Sequence, residues 1–452
     1  MDLQSWGARA RSLVGTPRVA LPRIAALAIA SWLAAQVINL THYGASVRNG
    51  DVLEYQRYAM AFWFSAPLFR HLPVEYPPLT ILPFTLTILP PLPDPVVLFE
   101  WWMGALLIVT YFWFRRYSTP RRAVVCVAYL LIGATSTVLA RYDLFPALAT
   151  LLALWACERG RFRLAYGLLA VGVLLKLYPA FLIPIVAVQH WRTLTEESAP
   201  TAGGASSHAW RGSWRSELAR LRYRAGRWLA SRTVRAVANE LARCVGIIVV
   251  GFAVAGLLSP AGALSGFTYA GARPLQIEST PATLLWVASW FGVPVHSVYT
   301  FHSLNLVGPL DVLLKPLSAF ALAGGCALVY WRLLRGRLAV GQAFVACLCV
   351  VLVTNKIFSP QYLIWVLPLV AYVMGLEYTW IAIGVLTTMI YPFIYFAHPH
   401  IRLVAYDPLF LPALALRNVL LLYVTVRVLR AGARATPAPA AAGADAPRAI
   451  AR

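Results

Sequence analysis

The sequence predicts an all-α, polytopic integral membrane protein with about twelve transmembrane helices. Of its 452 residues, 60% are hydrophobic and only 12% are charged, and the mean hydropathy is +0.67. Apolar segments long enough to cross a bilayer recur from residue 21 to residue 430. The stretches between them alternate between arginine-rich and arginine-poor, as expected when basic loops stay on the cytoplasmic side. Both chain ends are therefore predicted to be cytoplasmic, in a multi-pass membrane protein.

Each predicted helix corresponds to one apolar segment. Residues 1–20 are basic and lack a small-residue cleavage site, so the first segment is interpreted as a retained span and not as a removed signal peptide. Helices are predicted near residues 21–41, 95–114, 122–140, 143–158, 163–176, 178–191, 243–258, 308–331, 339–354, 361–376, 378–396 and 408–430.

Two further apolar stretches, 77–91 and 283–293, are predicted to be re-entrant or interfacial. If either crossed the membrane, arginine clusters would move to the outer side. Residues 42–94 form a long first outer loop, with an interfacial helix near 51–64. On this interpretation residues 21–430 are one transmembrane domain, which contains a basic cytoplasmic loop at 192–243. A disordered Ala/Pro-rich tail is expected at 431–452.

The net charge of +22 raises the question of nucleic-acid binding. The basic residues are concentrated in the tails and inner loops, whereas acidic residues occur about equally on both sides. This distribution favours attraction to membrane lipids and predicts no nucleic-acid partner. The sequence also lacks a phosphate-binding loop of the Walker type, a GxGxxG turn, an HExxH motif and a GxSxG elbow.

The residues that could take part in binding or catalysis lie in the arginine-poor outer stretches. The rare lysines Lys176 and Lys356 stand at the outer ends of helices in proline-bearing segments, where charge at membrane depth usually faces a cavity. The carboxylates Asp51, Asp143 and Glu278 and the imidazole of His302 lie in outer loops. The alternative for the lysines is snorkelling toward headgroups, and for Asp143 it is a local ion pair with the nearby arginine.

Aromatic and acidic residues complete this outer set. Tyr55 belongs to an aromatic group that suits the apolar faces of sugars. Glu75, just before two prolines, is expected to cap a helix or make a structural contact. Cations beside a lipid-facing cavity suit a lipid-linked phosphate, and carboxylates suit activation of a hydroxyl as a general base.

Several short motifs, in this order along the chain, resemble glycosyltransferase family 87, the GT-C-type polyprenol-phosphate-mannose-dependent α-mannosyltransferases. The resemblance extends over most of residues 25–430, and its most specific parts are the KLYP and FSPQYLxW segments. The matching residues are Asp51 with Tyr55, Glu75-Tyr76-Pro77-Pro78, Arg141-Tyr142-Asp143-Leu144, Arg159-Gly160-Arg161, Lys176-Leu177-Tyr178-Pro179 and Lys356-Ile357-Phe358-Ser359-Pro360-Gln361-Tyr362-Leu363-Ile364-Trp365.

The resemblance implies a GT-C-like enzyme that transfers a sugar, mannose in this family, from a polyprenyl-phosphate donor. The acceptor would be a hydroxyl of a cell-envelope lipid or glycan on the outer face, and the anomeric configuration would be inverted. It implies Asp51 as the general base. The donor phosphate is assigned to Lys176, Lys356 and Arg141. The acceptor and sugar are assigned to His302, Glu278, Gln361, Tyr55 and Asp143.

No cofactor is expected, because a phosphate monoester leaves readily and no DxD pair is present. A divalent metal stays an alternative. Two alternative functions also stay open: a lipid-linked sugar transporter or flippase, and a GT-C enzyme that uses another polyprenyl-phosphate sugar. The gathering of charge on one side, with no evident internal repeat, favours an enzyme over a transporter.

Overall fold

The computed structural model describes residues 17–42, 50–73, 75–197, 232–398 and 400–432. The predictions for residues 1–16, for the centre of the basic loop and for the tail after residue 432 lie outside the described residues.

Most of the described chain is helical. The helices of the first half are α1 Pro17–His42, α2 Gly50–Phe64, α3 Ile81–Thr85, α4 Pro95–Tyr117, α5 Pro120–Gly133, α6 Leu144–Glu158, α7 Phe162–Leu175 and α8 Ile183–Glu197. Short 3₁₀ turns at Pro78–Thr80 and Tyr178–Leu182 lead into α3 and α8.

The second half adds helices and three short strands. In chain order these are α9 Arg232–Leu258, α10 Pro260–Ala272, β1 Leu275–Gln276, α11 Thr280–Ser289, β2 His296–Thr300, β3 Ser303–Val307, α12 Asp311–Leu334, α13 Val340–Thr354, α14 Leu363–Val373, α15 Tyr378–Thr388, α16 Tyr395–Ala397 and α17 Phe410–Arg430. A 3₁₀ turn, Pro360–Tyr362, precedes α14; a π-helical segment, Met389–Ile394, joins α15 to α16; and a second 3₁₀ turn, Ile401–Tyr406, precedes α17.

Each of the twelve predicted helices coincides with a helix of the structure, and the helix near 51–64 is also present. Within the described residues, five helices are long and apolar enough to cross a membrane: Pro95–Tyr117, Arg232–Leu258, Asp311–Leu334, Tyr378–Ala397 and Phe410–Arg430. Other apolar helices, such as α6, α7 and α13, are shorter. These helices indicate a membrane protein, and the number of twelve crossings stays a prediction.

Several helices begin where a polar residue precedes a proline. The Asp94 carboxylate accepts hydrogen bonds from the amides of residues 96 and 97, at 2.8 and 3.2 Å, and Pro95 opens α4. Thr119 before Pro120 and Ser259 before Pro260 cap α5 and α10 in the same way. The side-chain oxygen satisfies a free amide of the first turn, and proline has no amide to satisfy there. The sequence thus fixes these helix starts locally.

The core lies where α5, α6, α7, α13 and α14 pack together. Helix α13 is buried along nearly its whole length, so it is surrounded by protein and not by lipid. Helices α5 and α15 approach closely at a pair of glycines: a Cβ added at Gly384 would lie 3.1 Å from the Cα of Gly133. Small residues allow helix backbones this close approach.

A small antiparallel sheet, in the order β1-β3-β2, was not predicted. Strands β2 and β3 form a hairpin in which Thr300 pairs with Ser303. The two residues of its tip, Phe301 and His302, have φ angles of +54° and +53°, a left-handed conformation that glycine and asparagine normally adopt. The stretch 283–293, predicted to be re-entrant or interfacial, contributes most of α11, between β1 and β2, and its placement relative to the membrane stays a prediction.

Candidate active site

Asp51 and Arg141 meet at one end of the helical bundle. Asp51 lies in the first turn of α2, and its carboxylate forms an ion pair with the Arg141 guanidinium. The Asp51 side chain is 39% exposed, whereas that of Arg141 is 17% exposed. Arg141 also hydrogen-bonds Tyr391, and its Nε is buried with no hydrogen-bond partner in the described part of the chain. Arg141 therefore holds a carboxylate that solvent or substrate can reach.

Asp143 pairs with Lys176 and not with the neighbouring arginine. Lys176 follows the last residue of α7 and donates to Oδ1 of Asp143 at 2.7 Å. The indole Nε1 of Trp365 donates to the same oxygen at 2.6 Å. Asp143 is 1% exposed, and its Oδ2 has no partner among the described residues. The local ion pair considered from the sequence is therefore replaced by a longer-range one.

Aromatic rings surround the Lys176 ammonium. Its Nζ lies 4.8 Å from the ring centre of Tyr142, 5.4 Å from that of Trp365 and 5.9 Å from that of Tyr362. Tyr178 and Tyr362 both stack on Trp365, with ring centres 4.4 and 3.9 Å apart. The KLYP and FSPQYLxW segments, distant in sequence, thus meet at this ammonium through cation–π contacts.

Tyr55 lies in the layer beneath this cage. It is 1% exposed, stacks on Phe84 at 4.1 Å, and meets the edge of Tyr142 at 5.7 Å. The structure therefore shows Tyr55 supporting a ring of the cage, and a sugar could reach it only if the neighbouring rings moved.

Lys356 holds the chain at the end of α10. Its Nζ donates to the carbonyl oxygens of Gly271 at 2.8 Å and Arg273 at 2.9 Å. Burial lowers the pKa of Lys356, and the positive charges of Lys315 and Arg273 lower it further. These contacts therefore place the Lys356 ammonium close to the guanidinium of Arg273.

Arg273 is a candidate that the sequence analysis missed. Its Nη2 donates to Oγ of Ser303 at 2.9 Å, and its guanidinium lies 5.7 Å from the ring centre of Tyr269. Its Nε is buried, with no hydrogen-bond partner among the residues described. Arg273 also lies within electrostatic reach of Tyr362 in the cage. The sequence feature that could have identified Arg273 is its position as an arginine in an otherwise arginine-poor outer stretch.

Glu75 and His302 face each other beside Arg273. Burial raises the pKa of Glu75, and nearby Glu54 adds to the rise. Three interactions only partly oppose this rise in pKa: the electrostatic interaction with His302, a hydrogen bond from Tyr269, and the positive charge of Arg273. The Tyr269 hydroxyl also donates to the carbonyl of Phe301 at 3.2 Å, in the hairpin tip that carries His302. Glu75, expected to be structural, therefore lies within the candidate site.

Hydrogen bonds from Asn305 hold the hairpin tip in its unusual conformation. The side-chain amide of Asn305 donates to the carbonyls of Thr300 and Ser303 at 2.9 and 3.0 Å. A left-handed backbone at non-glycine residues costs about 1–3 kcal/mol each and persists where surrounding contacts fix it, often at functional sites. These contacts present His302 to the site in one position.

Glu278 lies in a separate buried network. Its carboxylate accepts from Nη1 of Arg417 at 2.8 Å and from the Tyr395 hydroxyl at 3.2 Å, and both partners of the ion pair are almost fully buried. Tyr395 contacts the ring of Tyr391, which hydrogen-bonds Arg141. Glu278 is thus connected to the candidate site through these two tyrosines, while both its oxygens are already engaged by protein groups.

Gln361 lies beside the cage, in the 3₁₀ turn before α14. Its Oε1 accepts a hydrogen bond from Ser359, which fixes the amide orientation. In the part of the chain that the structure describes, no group of three or more His, Cys, Asp or Glu side chains is arranged to hold a metal ion.

The structure thus brings together one exposed carboxylate, a buried ion pair in an aromatic cage, and two further cations. Residues 75–220 match the family model of glycosyltransferase family 87.

This match confirms the resemblance seen in the sequence, over about a third of the chain. It indicates a glycosyltransferase, with a sugar donor and an acceptor as its substrates. The family 87 segment contains Glu75, Arg141, Asp143 and Lys176, whereas Asp51 and Arg273 lie outside it. No curated protein sequence matches the chain.

Proposed function

We propose that this protein transfers a sugar from a polyprenyl-phosphate donor to an acceptor hydroxyl on the arginine-poor, extracytoplasmic face of the bacterial plasma membrane. The sugar is mannose, on the family resemblance, and the acceptor is a cell-envelope lipid or glycan. Asp51 is the general base, and the anomeric configuration is inverted. The protein has the GT-C-like arrangement of many membrane crossings that its apolar helices suggest.

Exposure favours Asp51 over Asp143 as the base. Asp51 is 39% exposed and held by one arginine, whereas Asp143 is 1% exposed and held by both Lys176 and Trp365. A base must come within hydrogen-bond reach of the proton that it removes. An acceptor hydroxyl can reach Asp51 without displacing the aromatic cage.

The observation that carries the proposal is a pair of arginines with unused donors. Arg141 and Arg273 each have a buried Nε–H without a partner among the described residues, and each lies within electrostatic reach of a residue of the cage. A buried donor left unmatched costs about 1–3 kcal/mol, so a ligand that supplies an acceptor is favoured. The phosphodiester of the donor offers non-bridging acceptor oxygens and one negative charge, and a second negative charge develops as polyprenyl phosphate leaves.

The cations divide into a paired and an unpaired set. Lys176 is neutralised by Asp143, so its ammonium and its cage set the shape of the site more than its charge. Arg273 and Lys356 make their side-chain contacts with uncharged oxygens. These two cations therefore supply the excess positive charge for the donor phosphate, and Arg141, paired with Asp51, adds its unmatched Nε–H donor.

The reaction is balanced with these groups alone. The acceptor oxygen attacks the anomeric carbon while its proton passes to a carboxylate oxygen of Asp51. The bond between the anomeric carbon and the phosphate oxygen breaks, and polyprenyl phosphate leaves with the electron pair. The developing negative charge on that oxygen is stabilised by the guanidinium groups of Arg141 and Arg273. Proton loss from Asp51 to water resets the base.

His302 and Gln361 are proposed to hold the acceptor and the sugar. The imidazole of His302 faces Glu75 and is positioned by a fixed hairpin, which suits orientation of the acceptor hydroxyl. Gln361 keeps both amide hydrogens for sugar oxygens, because its contact with Ser359 uses only its carbonyl oxygen.

The test uses the full chain in nanodiscs with radiolabelled polyprenyl-phosphate-mannose and a cell-envelope lipid extract. Label recovered in a new glycolipid, in proportion to protein and time, is the expected result. Donor that binds and stays intact in every acceptor extract would contradict the transfer. Intact donor that appears in the opposite leaflet of sealed vesicles would establish the transporter alternative.

A further inference from the structure

A second cleft opens at the opposite end of α7 from Lys176. It has a volume of about 680 Å³ and is lined by residues 160–164, by His190 of α8 and by one face of α9 that includes Asn239, Glu240 and Arg243. Helix α7 has 14 residues, so the cleft lies about 20 Å from the cage around Lys176. It is therefore separate from the candidate active site.

Positive charge exceeds negative charge in this cleft. Glu240 accepts from Nε of Arg163 at 3.0 Å and from Nη1 of Arg243 at 2.5 Å, so one carboxylate is shared by two guanidinium groups. Arg161 stacks over the ring of Trp155 at 5.5 Å and adds a third guanidinium. With the imidazole neutral, the lining carries an excess of two positive charges. That excess favours an anionic phosphate group as ligand.

A buried imidazole nitrogen in the lining has no partner. His190 is 7% exposed and stacks on the ring of Phe162, with ring centres 4.2 Å apart. Its Nδ1 is buried and makes no hydrogen bond with any described residue. A buried polar atom of this kind is normally satisfied, so a ligand oxygen or its hydroxyl would complete the site.

The start of α7 points into the same cleft. Residues 162–164 are the first turn of this helix and part of the lining. First-turn amides have no partner within a helix, and the helix dipole places partial positive charge there. Gly160, with a φ of +68°, makes the tight turn that brings this helix start beside Arg161. Backbone and side chains therefore favour the same kind of ligand.

We propose that this cleft binds a phosphate group at the arginine-rich end of the molecule. The chemistry is that of an anionic phosphate with at least one free oxygen for each of two arginines. A phospholipid headgroup and free phosphate both have this chemistry. The site is independent of sugar transfer, because none of its residues contacts the cage or Asp51.

The experiment measures two probes on the purified, delipidated full chain. Native mass spectrometry measures binding of phosphatidylglycerol against zwitterionic phosphatidylcholine, and equilibrium dialysis measures binding of radiolabelled inorganic phosphate. The test variant is R163Q/R243Q, whose arginine side chains are 79% and 58% exposed, so the fold should tolerate the change. The matched control, R335Q/R430Q, removes the same charge from exposed arginines outside the cleft.

In the test variant, the dissociation constant of the probe that binds should rise by about tenfold or more, because two charge-assisted contacts are lost. The control should change by less than about twofold. Selective phosphatidylglycerol binding would identify a headgroup, and phosphate binding would identify free phosphate. Equal weakening in both variants, or no probe bound more tightly than phosphatidylcholine, would overturn the proposal.

Discussion

Lys176 and Asp143 form a buried ion pair in which Nζ and Oδ1 are 2.7 Å apart. Trp365 donates to the same oxygen, and three aromatic rings surround the ammonium. The pair is electrically neutral, so it can lie at membrane depth without the cost of an isolated charge. Removing either partner alone would leave the other charge buried and uncompensated.

The first prediction concerns this pair. Lys176→Met should destabilise the protein by about 3–5 kcal/mol, because Asp143 keeps its charge without a partner. Adding Asp143→Asn should restore part of that loss. Thermal unfolding in detergent measures both effects. The control is Arg57→Met, which removes a 79% exposed arginine 3.1 Å from the side chain of Glu54 and should cost less than about 1 kcal/mol. Equal losses at the two positions would show that the buried pair contributes no more to stability than an exposed one.

The second prediction concerns the proposed base. Asp51→Asn should lower the transfer rate by about 10² to 10⁴, because an amide cannot accept the acceptor proton. The donor concentration for half-maximal rate should stay nearly constant. Glu54→Gln, on the same helix, is the control and should keep most of the activity. A rate in Asp51→Asn close to that of this control would exclude Asp51 as the base.

The third prediction separates Lys356 from Arg273. Lys356 contacts two carbonyl oxygens around Arg273, so it is proposed to position that arginine as well as to contribute charge. Arg273→Gln should raise the donor KM by about tenfold or more, as expected for a lost contact to phosphate. Lys356→Met should raise it as well. The double variant should be little worse than Arg273→Gln alone, and effects that multiply would show that Lys356 acts independently.

The fourth prediction concerns pH. Burial raises the pKa of Glu75 above its ordinary value, so folding disfavours its charged form. The protein should therefore lose stability as pH rises from the ordinary pKa of a glutamate through this raised pKa. Glu75→Gln should abolish that part of the loss. The unfolding temperature of the variant, measured relative to that of the wild type, should therefore be higher near neutral pH than at acidic pH. Unfolding temperatures between about pH 4 and about pH 8 measure this, with Glu196→Gln, at a 71% exposed carboxylate, as control.

A pH profile of unfolding that is the same in the wild type and in Glu75→Gln would contradict a raised pKa at this residue. The activity profile gives an independent measurement. If the Glu75 carboxylate must be charged to hold His302, activity of the wild type should fall as pH drops through the raised pKa, whereas Glu75→Gln should be less active at every pH and should lack this fall.

The fifth prediction concerns orientation. A reporter fused after Arg434 should report the cytoplasm, and one inserted after Pro91, in the first outer loop, should report the opposite side. The arginine clusters set this expectation. Reporters on the same side would contradict it, as would an exchange of the two sides.

The helices were predictable because each depends on local sequence. Apolar length and a capping residue before a proline are read directly from neighbouring positions, as at Asp94 and Thr119. Helix α10 was missed because its small and polar residues give a weaker apolar signal. The hairpin tip was missed because Phe301 and His302 are not residues that normally adopt a left-handed turn.

The pairing of the charged residues was less predictable, because it depends on distant contacts. From the sequence, Arg141 was the obvious partner for Asp143, two positions away. In the structure each finds a partner on another element: Asp51 for Arg141 and Lys176 for Asp143. The assignments of Asp51, Lys176, Lys356 and Arg141 to chemical steps stay predictions until they are tested.

The hydrogen bond from Trp365 to Asp143 joins residues separated by 222 positions. During synthesis, Asp143 and Lys176 emerge from the ribosome long before the indole that covers them. A nascent chain that ends before α14 would hold this ion pair without Trp365 or Tyr362 above it. The enzyme therefore acquires its cage only when α14 has been translated and inserted, so a product truncated before α14 would be inactive even if its earlier helices were correctly placed.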